Sequence, residues 1–338
     1  MRPTPLVHRG ITYTTLTIPE QMALQSLLLR SCHSPARLAL EGYPLAASAT
    51  CRTTTPPRDP SCPKRAAVVL DCEMAGTTDG DHAITLSLVD FFTGAALVHA
   101  LVKPASGIKI TNWRTNITGV TPGAMAVAVA RGEALRGRDA ATARLLDFVD
   151  ADTVVVGHSV KYDLKVLGLA HNRIVDSAIL AAEASGRFGS GEDGNSGGGQ
   201  KAIKQGVALE RLCRELTGVR IRGGGGVAAG PGGRSQHDSL EDVLATREVV
   251  IWCLTHPVEL RAWAAKNWEV QDGAKGNKGG AKGSKGDRDR TTKHRPESVE
   301  DDFEWDEDDD DDDDGEMLRW EDVIDYDTWP KSPPDWSD

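Results

Sequence analysis

The chain has 338 residues, with 39 Lys+Arg against 50 Asp+Glu and a formal charge of −11. No apolar run approaches the ~18 residues of a membrane helix, and six cysteines without a C-x-x-C pair argue against a zinc ribbon. The acidic total does not exclude a nucleic-acid partner. Glu297 to Asp338 hold 21 acidic and 2 basic residues, Lys266 to Pro296 hold 9 basic and 4 acidic, and Met1 to Ala265 is nearly balanced at +3.

In chain order, Met1 to Thr17 reads as irregular. It lacks a charged-then-apolar signal peptide, so reduced thiols and an unused Asn116-Ile117-Thr118 sequon are expected. Arg2 and Arg9, with no acid before Glu20, leave a transit peptide as the weaker alternative. Pro19 to Leu29 predicts a helix, Pro35 to Glu41 a shorter one, and Thr50 to Pro63 a linker. Ala66 to Leu70 is a buried strand, Ala83 to Val89 an alternating one and Ala95 to Val102 a third, together an antiparallel meander.

The pattern then alternates. A helix over Asp139 to Val149, a strand at Thr153 to Val156, a helix at Val160 to Leu169, a strand at Arg173 to Val175 and a helix at Ser177 to Glu183 add parallel strands to the meander. Gly186 to Gly199 and Arg222 to Arg234 read as flexible surface insertions. Leu209 to Leu216 predicts a helix and Ser239 to Leu254 a stronger one. Beyond Pro257 order is expected to fade, through a Gly/Lys segment at Gly273 to Arg295 and nine consecutive acids at Asp306 to Asp314.

Three sites carry chemistry. In Val68-Val69-Leu70-Asp71-Cys72-Glu73-Met74, alternation along a strand points Asp71 and Glu73 the same way. Two like charges at the end of an apolar strand repel unless a cation lies between them; a solvated strand end is the bland alternative. In Gly157-His158-Ser159-Val160-Lys161-Tyr162-Asp163, Ser159 is a plausible N-cap and Asp163 shares an inward stripe with Val160 and Leu167. The alternative for Asp163 is a helix-dipole aspartate or an ion pair with Lys161 or Lys165. In His237-Asp238-Ser239-Leu240-Glu241-Asp242, a capping box of Ser239 with Asp242, or of Asp238 with Glu241, would explain the acids but not His237. An imidazole there is a usable proton acceptor near neutrality. Four carboxylates and one histidine in this order suit hard, oxygen-seeking cations and an in-line phosphoryl displacement.

These residues resemble the DEDDh branch of the 3′→5′ exonucleases, over about Arg65 to Pro257. Asp71 and Glu73 match its first motif, Asp163 its second, and His237 with Asp242 its third. Asp-Cys-Glu-Met, Gly-His-Ser-Val-Lys-Tyr-Asp-Leu, His-Asp-Ser-Leu-Glu-Asp and Trp113 to Thr121 are similar to the eukaryotic RNA exonuclease subfamily, and the Cys32-His33-Ser34 region and tails to its fungal members. The resemblance implies a ribonuclease-H-like mixed α/β sheet, an antiparallel meander followed by parallel strands, flanked by helices. It implies two divalent cations, Mg²⁺ or alternatively Mn²⁺, held by Asp71, Glu73, Asp163 and Asp242, with His237 accepting the proton from water. Met74, Ala75 and His158 would meet the substrate, a single-stranded RNA 3′ end, and the product would be a 5′-mononucleotide.

The implied organisation is 1–64, a helical segment and Pro/Thr-rich linker; 65–257, the nuclease domain with Gly-rich insertions at 186–199 and 222–234; 258–296, an extension with a basic linker; and 297–338, a disordered acidic tail. Trp305, Trp320, Trp329 and Trp336 lie in that tail, whose alternatives are a solvated spacer or a binder of basic, ribosomal or histone-like proteins. The tail is also expected to compete with RNA for the basic linker. The expected setting is RNA 3′-end processing or rRNA maturation, in the nucleus or nucleolus, with cytoplasm as the alternative and no membrane. Rival readings are an exonuclease acting on DNA and a non-catalytic adaptor presenting the tail.

Overall fold

The computed structural model describes residues 4–45, 51–186, 202–203, 206–222 and 236–276. Most of both expected Gly-rich insertions, the end of the basic linker and the whole acidic tail lie outside these residues.

The N-terminal segment is more ordered than expected. Strands β1 (Leu6–His8) and β2 (Ile11–Tyr13) form an antiparallel hairpin, turned at Arg9 (φ 47°) and Gly10 (φ 79°). Strands of three residues carry almost no periodicity, which is why the sequence reads as irregular there. Helix α1 (Ile18–Arg30) starts where the Thr17 N–H and Oγ1 both donate to Glu20 at 2.7 Å, and it buries Leu24 and Leu28 on one face. Helix α2 (Pro35–Leu40) is capped by Ser34, which accepts the Arg37 N–H. Within the expected linker, β3 (Thr53–Thr54) is a short strand.

The first long strand, β4 (Ala67–Asp71), is followed by β5 (Met74–Thr77), β6 (Gly80–Ala83), β7 (Thr85–Asp90), β8 (Ala96–Lys103) and β9 (Ile110–Asn112). Strands β4, β7 and β8 form the expected meander, whereas the side sheet, ordered β6–β5–β9, has no counterpart among the expected strands. After α3 (Thr115–Thr118), α4 (Pro122–Ala130), β10 (Leu135–Arg136) and α5 (Gly137–Leu146), strand β11 (Val154–Gly157) leads into α6 (Lys161–Leu167). Then come β12 (Leu169–Ala170), which pairs in parallel with β3, β13 (Ile174–Asp176) and α7 (Ser177–Glu183).

The main sheet has the order β10-β8-β7-β4-β11-β13. Pairing is antiparallel on the β7 side of β4 and parallel on the β11 side, the ribonuclease-H-like arrangement implied by the resemblance. Side chains of β4 therefore alternate between two cores. Val68 and Leu70 pack with Ala141, Leu145, Leu164 and Leu167. Ala67 and Val69 pack with Leu24, Leu28, Val243 and Val250. Burial on both faces explains the unbroken apolar run.

Helix α8 (Leu209–Leu212) runs on as a wider π turn, Cys213–Thr217. Helix α9 (Ser239–Thr255) crosses the sheet under β4 and β7. Order does not end at Pro257; the described residues continue to Gly276, and the rest of the expected fading segment lies outside them. That proline instead opens α10 (Pro257–Gly276), with Leu260 and Ala264 buried against α7 and α9. A proline fits the first turn of a helix, where its missing N–H has no intrahelical partner anyway.

Candidate active site

The cavity at the end of β4 and β11 has a volume of about 470 Å³ and is lined by Asp71, Glu73, Asp163, His237 and Asp242. Each arrives by a different local device. Asp71 closes β4, and the strand stops there instead of continuing to Glu73 as expected. The next two residues turn out of the sheet: the Glu73 N–H donates to Thr85 Oγ1 at 2.7 Å, and its carbonyl accepts the Ile84 N–H at 2.8 Å.

Asp163 is reached through a tight turn after β11. A Cβ on Gly157 would lie 2.4 Å from the Val160 Cβ, so only glycine permits this approach. Ser159 adopts φ 56° and is not the N-cap expected of it; Val160 holds that position. Buried Asp176 fixes the turn, accepting the N–H groups of Val160 at 3.0 Å and Ala178 at 2.8 Å and the hydroxyl of Tyr43. Asp163 then accepts the Cys72 N–H at 2.7 Å, which ties the second motif to the first. Lys161, one of the expected ion-pair partners, donates to the Glu41 carbonyl at 3.1 Å.

His237 is pinned through its backbone. Its N–H donates to the Ile117 carbonyl at 2.7 Å, and the neighbouring Gln236 side chain donates to the Thr115 carbonyl at 3.2 Å. Both acceptors lie in the Trp113 to Thr121 segment. Asp238 alone caps α9, accepting from Leu240 and Glu241, and receives Arg9 at 2.9 Å and His8 at 3.2 Å. Neither expected capping box forms. Glu241 accepts the Arg222 N–H at 3.0 Å, and Ser239 shares a hydrogen bond with Ser87.

The remaining expected contact residues separate. Met74 and His158 line the cavity, with the His158 ring bonded to Ser177 at 2.8 Å. Ala75 does not line it; its side chain is buried with Ile84, Val120 and Met125. Arg222 joins the cavity lining without a sequence signal, because it opens a glycine-rich stretch and no motif marks it. Its guanidinium Nη2 lies 3.1 Å from Asp242 Oδ2 and 3.2 Å from His237 Nδ1.

The electrostatics are those of an undercompensated acidic cluster. Burial, then the charges of Asp163, Glu73 and Asp242, hold Asp71 well above the ordinary carboxylate range. Burial followed by Asp242 pushes Glu73 up to about 8. Burial also brings Asp163 to about 8 despite its hydrogen bond from Cys72. Burial and then Arg222 lower His237 to about 4, so the imidazole is neutral at pH 7.

Among the described residues, Asp71 Oδ2 and Asp242 Oδ1 are buried oxygens with no hydrogen-bond partner. Ligand atoms of Glu73, His237 and Asp242 lie within 4.8 Å of one another. Orphaned oxygens beside repelling carboxylates fit a hard divalent cation.

No family model matches the chain. It is similar to RNA exonuclease 3 of Eremothecium gossypii, 30% identical over 196 residues, which cover 58% of this chain and 42% of that protein. The match to RNA exonuclease 3 of Saccharomyces cerevisiae is 30% over 182 residues, covering 54% and 36%. RNA exonuclease 4 of Gibberella zeae is 32% identical over 184 residues, covering 53% and 46%. The chain thus spans less than half the length of these relatives. A solved structure, the apo Pan2 pseudoubiquitin hydrolase-RNA exonuclease module of Saccharomyces cerevisiae, aligns with 64% of this chain and 33% of its own at 18% identity and a TM-score of 0.43.

Proposed function

We propose, on this kinship with the DEDD-type RNA exonucleases, that the chain is a metal-dependent exoribonuclease releasing 5′-mononucleotides from RNA 3′ ends. The supporting observation is the convergence of Asp71, Glu73, Asp163, His237 and Asp242 on one cavity with two orphaned carboxylate oxygens. Asp71, Glu73, Asp163 and Asp242 would hold two divalent cations, which when bound supply charge stabilisation at the attacking and leaving oxygens of an in-line displacement.

The other steps belong to the chain's own side chains. His237 takes the proton of the attacking water, a role consistent with a neutral ring held by its backbone. Met74 packs against the terminal nucleotide, and His158 borders the same space. Arg138 and Lys165 on the cavity wall supply positive charge toward the phosphates, the charge of Arg114 being paired with Asp81. Single-stranded RNA 3′ ends are the substrate in this reading. Processing of structured RNA or rRNA precursors is the task, the nucleus is the setting, and basic proteins are partners of the acidic tail.

The test uses a 5′-labelled single-stranded RNA and its DNA twin with Mg²⁺, Mn²⁺ or EDTA, and an Asp71→Asn control. Ladders shortening from the 3′ end of RNA, lost with EDTA and in the variant, are expected. Faster hydrolysis of the DNA twin would transfer the reading to DNA. No hydrolysis of either under any metal condition would overturn it in favour of an adaptor.

A further inference from the structure

The cavity contains a cation of its own. Arg222 is anchored by its backbone to Glu241, at a left-handed φ of 62° that disfavours non-glycine residues. Its side chain is 13% exposed. Nη2 reaches Asp242 Oδ2 and His237 Nδ1 together, while Nε is buried with no partner. Those two atoms lie 3.5 Å apart, and His237 Nδ1 is 3.9 Å from Glu73 Oε1. The guanidinium is therefore aimed at the point where Glu73, Asp242 and His237 converge.

Two chemical consequences follow. A guanidinium only donates, so His237 Nδ1 must accept, and the ring proton must sit on Nε2. The lone pair that could receive a proton from water is then already engaged. In addition, a divalent cation drawn to Glu73 and Asp242 meets a fixed positive charge in contact with the same carboxylate, and like charges in a buried site repel strongly.

We propose that Arg222 is a displaceable internal counter-ion: it and a divalent cation are alternative occupants of the Glu73–Asp242–His237 cluster. While Arg222 is seated it neutralises the carboxylates and blocks His237. Cation binding expels it and frees Nδ1. This rests on the reading of the site as a divalent-metal centre and adds how that centre is emptied and filled.

The experiment measures Mn²⁺ binding calorimetrically to the intact chain and to Arg222→Gln, without nucleic acid. If Arg222 occupies the cluster in most molecules, its removal tightens Mn²⁺ binding by roughly tenfold or more. The melting temperature in EDTA should fall, because the carboxylates lose their counter-ion. Equal or weaker binding by folded Arg222→Gln would overturn the proposal while leaving the metal centre standing; absence of binding by both proteins would overturn the metal centre itself.

A second measurement needs no substitution. Long-range ¹⁵N NMR of the intact chain should show His237 as the Nε2–H tautomer in EDTA, with the Nδ1 resonance moving on titration with diamagnetic Mg²⁺. An Nδ1 resonance unmoved at Mg²⁺ saturation would make the arginine contact permanent and refute displacement.

Discussion

Two buried arginines near α9 behave oppositely. Arg247 is fully buried and fully served: Nε donates to the Phe91 carbonyl at 2.6 Å, Nη2 to the Phe92 carbonyl at 3.1 Å, and Nη1 to the Thr14 carbonyl and Glu248, both at 2.8 Å. Glu248 in turn accepts the Thr14 N–H and hydroxyl. Arg222 has one nitrogen serving two acceptors and another serving none. A saturated network rigidifies what it joins, here the N-terminal segment, the end of β7 and α9. An unsaturated one keeps a residual demand for charge or hydrogen bonds. Saturation thus separates scaffold from candidate site, although both are buried and ionic.

Breaking the unsaturated cluster should abolish activity without unfolding the chain. Asp71→Asn is expected to lose about 10³-fold or more in nuclease rate, yet to melt no lower than the parent in EDTA, since it removes a repelling charge. A large fall in melting temperature would show that Asp71 belongs to the scaffold.

Breaking the saturated network should do the reverse. Arg247→Ala deprives the Phe91, Phe92 and Thr14 carbonyls of their donor and Glu248 of its counter-charge, and about 3–5 kcal/mol of stability should go, read from urea unfolding. Arg222→Gln measured alongside should lose clearly less; equal losses would erase the distinction between the two arginines.

The acidity of the cluster predicts a pH dependence with a definite sign. Glu73 and Asp163 titrate near 8 in the fold and near 4 when unfolded. Both bind protons more tightly when folded, so this contribution to stability is present below about pH 4 and is lost as pH rises toward 8. Melting temperature in EDTA should therefore decline across that interval, and saturating Mg²⁺ should flatten the decline. A melting temperature that rises from pH 5 to 8 in EDTA would contradict the placement of these carboxylates.

Smaller effects are expected at the junction of the two regions. Asp238→Ala removes the α9 cap and the partner of Arg9, at a cost of about 1 kcal/mol. Arg9→Ala should change stability by less, because that ion pair is half exposed. If either variant lost activity far beyond its stability change, the hairpin would have to be counted among the elements positioning His237.

Much of this arrangement was legible in the sequence for a physical reason. Asp71, Glu73, Asp163, His237 and Asp242 are costly in apolar surroundings, so their appearance beside buried strands and helices is conspicuous. Long, doubly buried elements such as β4 and α9 advertise themselves in the same way. What stayed hidden depends on partners distant in the chain. Arg222 gains its meaning only from Asp242 and His237. Asp176, which holds the turn before Asp163, looks like an ordinary helix cap until Tyr43 meets it. The β1–β2 hairpin is too short to declare a period, and Pro257 reads as a stop because a proline that opens a helix looks the same as one that closes it.

The stitching of the chain's beginning to α9 has a consequence for biosynthesis. Thr14 and Glu248 are 234 residues apart, and His8 and Asp238 are 230 apart. At the roughly 5–20 residues per second of translation, the hairpin waits about 10–50 s for α9 to emerge. Once Val156 is made, the sheet face it shares with Val69 and Val89 has Leu24 and Leu28 of α1 against it but lacks Val243 and Val250 of α9. The nascent chain is therefore most exposed to aggregation, and most in need of a chaperone, just before α9 leaves the ribosome.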